Sequence, residues 1–185
     1  MKQLILSLLI GFSSLCSLQA QKFFTKKALI KFESNAPLEK IKAKNHAATC
    51  VINTESGAVQ FAVLIKAFKF KKALMQEHFN ENYMESDKYP KAVFKGKITN
   101  LEAINFEKDG VYATTVKGKM TMHGVKKDLT AKGKIIVKSG KPTLKSTFKV
   151  LVADYAIKIP KVVRKNIAKV VTITVEAALN PLKKK

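Results

Sequence analysis

What most limits this chain is a two-residue rhythm, apolar on one side and lysine or threonine on the other, repeated along most of its length. Leu144, Ser146, Phe148 and Val150 interleave with Thr143, Lys145, Thr147 and Lys149. Val171, Ile173, Val175, Ala177 and Leu179 interleave with Thr172, Thr174 and Glu176. Leu129, Ala131, Gly133, Ile135 and Val137 alternate with Thr130, Lys132 and Lys134, with Ile136 as the one exception, and Ala92, Phe94, Gly96 and Ile98 alternate with Lys95 and Lys97. Side chains point to opposite faces of a strand at successive positions, so each segment reads as a strand with one buried and one wet face. Lysines on the wet face also discourage sheet-to-sheet aggregation.

Further strands are expected at residues 28–33, 48–54, 57–70 and 111–122, parted by turn signals at Asn53 to Gly57, Asp109-Gly110, His123-Gly124 and Ser139-Gly140. The run from Val59 to Phe70 is apolar on both sides at its middle, which predicts a cover on its outer face. One helix is expected, Lys72 to Tyr83, because Leu74, Met75, His78, Phe79 and Tyr83 recur at intervals of three and four; it stops before Pro90. A short helical or irregular piece is expected over Lys161 to Ile167. About eight strands joined by short turns must hide their apolar face against themselves, which an all-β, antiparallel eight-stranded barrel with one covering helix does. At that size the interior either fills with side chains or holds one small ligand. The inward small residues Ala92, Gly96, Gly118, Ala131 and Gly133 fit both outcomes: they leave room, or they let strands coil around the closing barrel.

Residues 1–20 differ from the rest. Lys2, an apolar run from Leu4 to Leu18 and the small Ala20 read as a secretory signal peptide cleaved after Ala20, leaving one barrel domain over 21–185 in the periplasm or secreted. Leu15 before Cys16 disfavours acylation there. The mature chain then keeps a single cysteine, Cys50, so no internal disulfide forms. Net charge is +22 over the whole chain. A field of that sign attracts polyanions such as anionic lipid headgroups, polysaccharide and nucleic acid without choosing among them.

Catalytic chemistry has little to build on. His78 and Glu81 share a helical spacing, but a zinc site wants three or four converging ligands. His78 reads as a packing or hydrogen-bonding residue, His123 as part of a turn, and Cys50, alternating with Ala48 and Ile52, as a small buried apolar side chain. Thr54-Glu55-Ser56-Gly57 lacks the first glycine of a nucleophile elbow. No catalytic residue, metal ligand or cofactor is therefore expected. Asp154-Tyr155 closes an apolar strand before Pro160 and is open to two readings: a turn with a packed tyrosine, or Tyr155 and Arg164 meeting the polar head of a ligand at a barrel mouth.

Four blocks taken together, Phe32 to Ile41 (FESNAPLEKI), His78 to Phe94 (HFNENYMESDKYPKAVF), Gly118 to Val125 (GKMTMHGV) and Phe148 to Pro160 (FKVLVADYAIKIP), resemble the YceI-like, polyisoprenoid-binding family. That resemblance implies a lipocalin-like barrel with a helix near one end, an apolar tunnel for an isoprenoid chain, and a periplasmic location. Where many relatives continue Gly-Val-Thr-Lys-Pro, this chain reads Gly124-Val125-Lys126-Lys127-Asp128, a departure at one barrel mouth.

The expected ligand is an isoprenoid or fatty lipid, lying against Phe32, Phe61, Val63, Phe94, Gly96, Ala131, Phe148, Ile173 and Val175, with Tyr155 and Arg164 at its head. A chain of around 40 carbons, at about 0.3 kcal/mol per heavy atom, would gain roughly 12 kcal/mol. The role would be that of a carrier or buffer. An anionic membrane surface and a second copy of the chain in a homodimer are the other partners considered. The competing reading is a basic polyanion-binding envelope protein without a lipid. It is disfavoured, as is any specific nucleic acid, because single-strand binding wants aromatics among the lysines, whereas Phe61, Phe94 and Phe148 alternate away from them.

Overall fold

The computed structural model describes residues 22–182. The expected signal peptide lies outside the described residues.

Eight long antiparallel strands close into a barrel: β1 (Lys22–Asn35), β2 (Lys40–Asn53), β3 (Ala58–Leu64), β5 (Lys91–Ile98), β6 (Gly110–Met122), β7 (Val125–Lys138), β8 (Lys141–Leu151) and β9 (Val170–Ala178). Each pairs with the next, and β1 closes the ring by pairing with both β2 and β9. Two two-residue strands, β4 (Lys69–Phe70) and β10 (Asn180–Pro181), fill lengths of β2 and β1 that their long neighbours leave open. One α-helix, α1 (Ala73–His78), runs into a π-helical turn over Phe79–Tyr83.

The hairpin turns follow from glycine and from short polar side chains. Gly57, Gly124 and Gly140 take positive φ, which costs glycine little. Asn53 Oδ1 accepts the Glu55 and Ser56 amides in the β2–β3 turn. The Asp109 carboxylate accepts the Ser139 amide, tying two turns at one end of the barrel together.

β1 and β2 are longer than their alternation suggests, and the reason is a pair of register shifts. Pairing slips between Thr25 and Ala28 and again between Ala28 and Ile30. The inward side of β1 therefore changes from Phe23 to Ala28, Ile30 and Phe32, and that of β2 from Ala43 and Asn45 to Ala48, Cys50 and Ile52. Buried Asn45 satisfies the irregularity itself: its Oδ1 accepts the Ala47 amide and its Nδ2 donates to the Leu64 carbonyl, both at 2.8 Å. The expected long strand from residue 57 to 70 is instead β3, a 3-10 turn over Ile65–Ala67, and β4. Nor is its outer face covered: Leu64 is exposed, and the helical segment lies over the barrel end.

The interior divides into two zones. Toward the end bearing Gly57, Gly110 and Gly140, buried Phe23, Cys50, Ile52, Ile98, Ile135, Val137, Ala177 and Leu179 fill the barrel. Toward the other end Ile65, Met84, Val150, Val152, Tyr155 and Ile157 form a second cluster beneath the helical segment and the 152–169 connection.

Candidate functional site

Between the packed end and the second cluster lies a cavity of about 430 Å³. Ile30, Val59, Val116, Leu144 and Val175 form its floor, where the inward positions of five strands meet the packed zone. Its walls are Phe61 and Val63 of β3, Ala92 and Phe94 of β5, Met120 and Met122 of β6, Leu129 and Ala131 of β7, Phe148 and Val150 of β8, and Ile173 of β9.

At the open end four phenylalanines from four segments pack into one cap. Phe32 of β1 stacks on Phe79 of the π-helical turn with ring centroids 5.4 Å apart, and Phe70 lies 4.9 Å from Phe79. Phe68 meets Phe32 and Phe79 edge-on at 5.8 and 5.6 Å. Such pairs add about 0.5–1.5 kcal/mol beyond the area they bury. The helical segment is thereby fixed over the mouth by the same rings that line the cavity. Polar side chains enter only sparsely, among them Ser34, Glu39, His78 and Asn166 around the open end.

Of the site residues expected from sequence, Phe32, Phe61, Val63, Phe94, Ala131, Phe148, Ile173 and Val175 border this one space. Three do not. Gly96 faces β6 across from Gly118, and a Cβ there would sit 2.5 Å from the Phe94 ring and 2.6 Å from the Lys117 carbonyl oxygen. Its place is under the Phe94 ring, so Gly96 and Gly118 let two backbones and an aromatic ring approach closely. Ala92, Ala131 and Gly133 do border the cavity. Tyr155 is buried in the second cluster, ending the 3-10 turn Val152–Tyr155, and burial followed by the neighbouring Asp154 carboxylate raises its phenol above the usual range. Arg164 is exposed on the 156–169 connection. The expected head-binding pair is therefore not assembled in the cavity.

Of the two histidines read from sequence, His78 differs from expectation and His123 lies in a turn as expected. His78 is not packed away but exposed at the rim. His123, in the β6–β7 turn, clips three segments together: its Nδ1 lies 2.9 Å from the Tyr155 carbonyl oxygen and its Nε2 2.7 Å from the Glu85 carboxylate. Tyr89 lies edge-on to the ring at 4.8 Å. Glu85, His123 and Ala156, the residue after Tyr155, all take positive φ, so three of the four strained non-glycine positions among the described residues converge on this clip. Cys50 is wholly buried in the packed zone, and burial pushes its thiol far up. Among the described residues no group of three His, Cys, Asp or Glu side chains could hold a metal ion.

The rim residues Ser34, Glu39 and Asn166 escaped the sequence reading because nothing in their spacing marks them. Phe68 and Phe70 flank Lys69 in the same two-residue rhythm as the walls and could have been found from it.

The sequence model of the family described as YceI-like domain matches residues 22–179. No curated protein matches the chain. Among solved structures it is similar to a polyisoprenoid binding domain from Saccharophagus degradans implicated in plant cell wall breakdown (11% identity, TM-score 0.76, covering 89% of this chain and 100% of that one). It is similar also to BcnA of Burkholderia cenocepacia (14% identity, TM-score 0.67, covering 83% and 96%). A third is the YCEI protein of Campylobacter jejuni (17% identity, TM-score 0.55, covering 100% of each chain). At these identities the likeness is one of fold.

Proposed function

Because the chain belongs to the YceI-like domain family, we propose that it is an exported binding protein, periplasmic or secreted, that holds an isoprenoid or other apolar lipid chain inside its barrel and acts as a carrier or buffer. The observation that carries this reading is the continuous cavity of about 430 Å³, lined mainly by apolar side chains and open at one end. An apolar space of this kind costs stability while it is unfilled and takes an apolar guest more readily than water. The polyisoprenoid-binding relative and the signal-peptide-like residues 1–20 point the same way.

The cavity also sets the size of the guest. A cavity of about 150 Å³ takes benzene, roughly 25 Å³ per heavy atom, so this one holds roughly 17 heavy atoms. That is about three isoprene units or a medium fatty chain, and a 40-carbon chain would extend out through the mouth. At about 0.3–0.5 kcal/mol per heavy atom the enclosed part gains roughly 5–8 kcal/mol, a Kd from about 0.2 mM down to about 1 µM.

Extraction of the purified mature protein with organic solvent, followed by mass spectrometry, tests the reading. An apolar lipid near one per barrel is expected. An empty barrel that neither takes up a fluorescent fatty acid nor retains any lipid, yet retards DNA at moderate salt, would replace it with the polyanion-binding alternative.

A further inference from the structure

The most exposed large apolar side chains are not scattered evenly over the barrel. Among the described residues there are eight: Leu38, Leu64, Leu74, Val111, Leu151, Val162, Val170 and Leu182. Val111 and Leu182 belong to the packed end. The other six stand around the open end: Leu38 at the β1–β2 turn, Leu64 at the last residue of β3, Leu74 on α1, Leu151 and Val170 as ladder partners at the ends of β8 and β9, and Val162 on the 156–169 connection. Val162 is 89% exposed and Leu38 68%, values that leave most of each residue in water.

The segments carrying these tips are joined to one another. The Leu38 amide donates to the Lys165 carbonyl at 3.0 Å, and Glu39 pairs with Lys72 at 3.7 Å, which sets the turn beside both the connection and the start of α1. Cations, which coat the whole barrel, also stand among these tips. The connection from residue 156 to 169 carries Lys158, Lys161, Arg164, Lys165 and Lys169, all exposed, with no acid among them. Lys40, Lys71 and Lys72 add to it from the turn and the helix start. The acids Glu77 and Glu81 are exposed farther along the helical segment, so the basic and apolar side of the mouth is the side of the turn and the connection.

We propose that the open end of the barrel docks against an anionic lipid bilayer, with Leu38, Val162 and Leu74 inserted among the headgroups and the 156–169 lysines and Arg164 on the lipid phosphates. Apolar tips separated by cations suit an interface that is apolar at depth and anionic above, whereas a protein partner would want a contiguous apolar patch. One weak apolar anchor holds poorly on a membrane, and an anchor combined with a polybasic patch holds well. The docking gains its purpose from the lipid-binding reading, since it points the cavity mouth at the bilayer and spares an apolar chain the passage through water.

Co-sedimentation of the mature protein with vesicles tests it, using equimolar phosphatidylcholine and phosphatidylglycerol against phosphatidylcholine alone at physiological salt. The wild type is expected on the anionic vesicles and not on the neutral ones. Replacing Leu38, Leu74 and Val162 together by Ser should weaken binding about tenfold, while Val111→Ser at the packed end should leave it unchanged. All four side chains are exposed, so the variants should fold, and circular dichroism checks that they do. A wild type that fails to bind anionic vesicles, a triple variant that binds like the wild type, or a Val111→Ser loss as large as the triple's would each overturn the proposal. Lipid extraction from the same samples keeps the two readings apart. Protein that carries lipid but ignores vesicles sinks the docking alone, and protein that docks but is always empty sinks the carrier alone.

Discussion

The two ends of this barrel are made by one alternation and come out differently. At the packed end the inward residues interlock: Phe23, Cys50, Ile52, Ile135, Val137 and Leu179 are each 2% exposed or less. At the hollow end the inward residues are equally apolar, but Phe32, Phe61, Phe94, Phe148 and Ile173 stay half-buried around an empty centre. The backbone differs as well. The β6–β7 ladder runs its whole length to Met122↔Val125, while the β7–β8 ladder covers Lys138↔Lys141 to Gly133↔Ser146 and stops at the level of the cavity. Side chains bridge where ladders end: Ser146 Oγ donates to the Lys132 carbonyl at 2.7 Å, Asn45 reaches the Leu64 carbonyl, and Ser34 Oγ accepts the Ala168 amide at 2.9 Å. Tight packing is thus concentrated at one end and open apolar space at the other. Under the proposed lipid-binding function, such a division would let one end open while the other holds the barrel together.

The largest effects should separate the two ends. Ile135→Ala removes a fully buried side chain from the packed zone and should cost about 2–5 kcal/mol in urea unfolding. A loss under 1 kcal/mol would mean that this zone is no tighter than the cavity.

Next comes a pair of identical insertions. Gly96→Phe drives a ring into Phe94 and the Lys117 carbonyl, and should destabilise by about 1–3 kcal/mol or more. Ala131→Phe points a ring into open space, so the lipid-free protein should unfold within about 1 kcal/mol of the wild type while co-purified lipid disappears. Equal destabilisation by both would show that no real difference in packing exists between the two sites.

Cys50 sharpens the comparison through pH. Burial raises the thiol in the folded state, so above the unfolded value of about 8.5 the folded chain holds a proton that the unfolded chain has lost. Stability contributed by the neutral thiol is complete below that pH and falls above it, by at most about 1.4 kcal/mol per pH unit. Between about pH 8.5 and 10 the wild type should lose about 2 kcal/mol relative to Cys50→Ala. Parallel pH curves for the two proteins would show that water reaches the packed zone.

Where the alternation holds with few exceptions, as over β5, β7, β8 and β9, the strands and the cavity-facing residues Ala131, Phe148, Ile173 and Val175 were legible in the sequence, because a period of two leaves little choice of face. The same rule failed at the register shifts. Phe23 and Ala28 stand five apart yet both point inward, and no local pattern announces the residue that reverses the phase. It failed also at Gly96, since alternation gives a face but not the ring of Phe94 lying across it. The rim was least legible. Ser34, Glu39 and Asn166 meet only because a turn, a strand end and an irregular connection converge, and Tyr155 with Arg164 pointed to a head-binding pair, whereas Tyr155 is buried in the second cluster and Arg164 is exposed on the connection.

The smallest expected effect lies at the His123 clip, which fastens the hollow end's irregular segments to the regular β6–β7 hairpin. His123→Asn is the informative change, because the residue sits at φ 51° and Asn tolerates that left-handed conformation better than Ala would. The variant removes the bonds to Glu85 and Tyr155 without adding backbone strain. Glu85 is 45% exposed at its side chain and can turn to water once released, so the cost to global stability should be only about 1 kcal/mol. The local consequence should be larger than the global one. The strained turns at Glu85 and Ala156 lose the partner that holds them, and the segments over the mouth open more often. A bound fluorescent fatty acid should therefore leave several-fold faster, about what a barrier lowered by 1 kcal/mol gives, while the packed end keeps its hydrogen-exchange protection. If release is unchanged, or if protection falls equally at Cys50 and at Phe148, the two ends open as one unit and the division of labour between them does not hold.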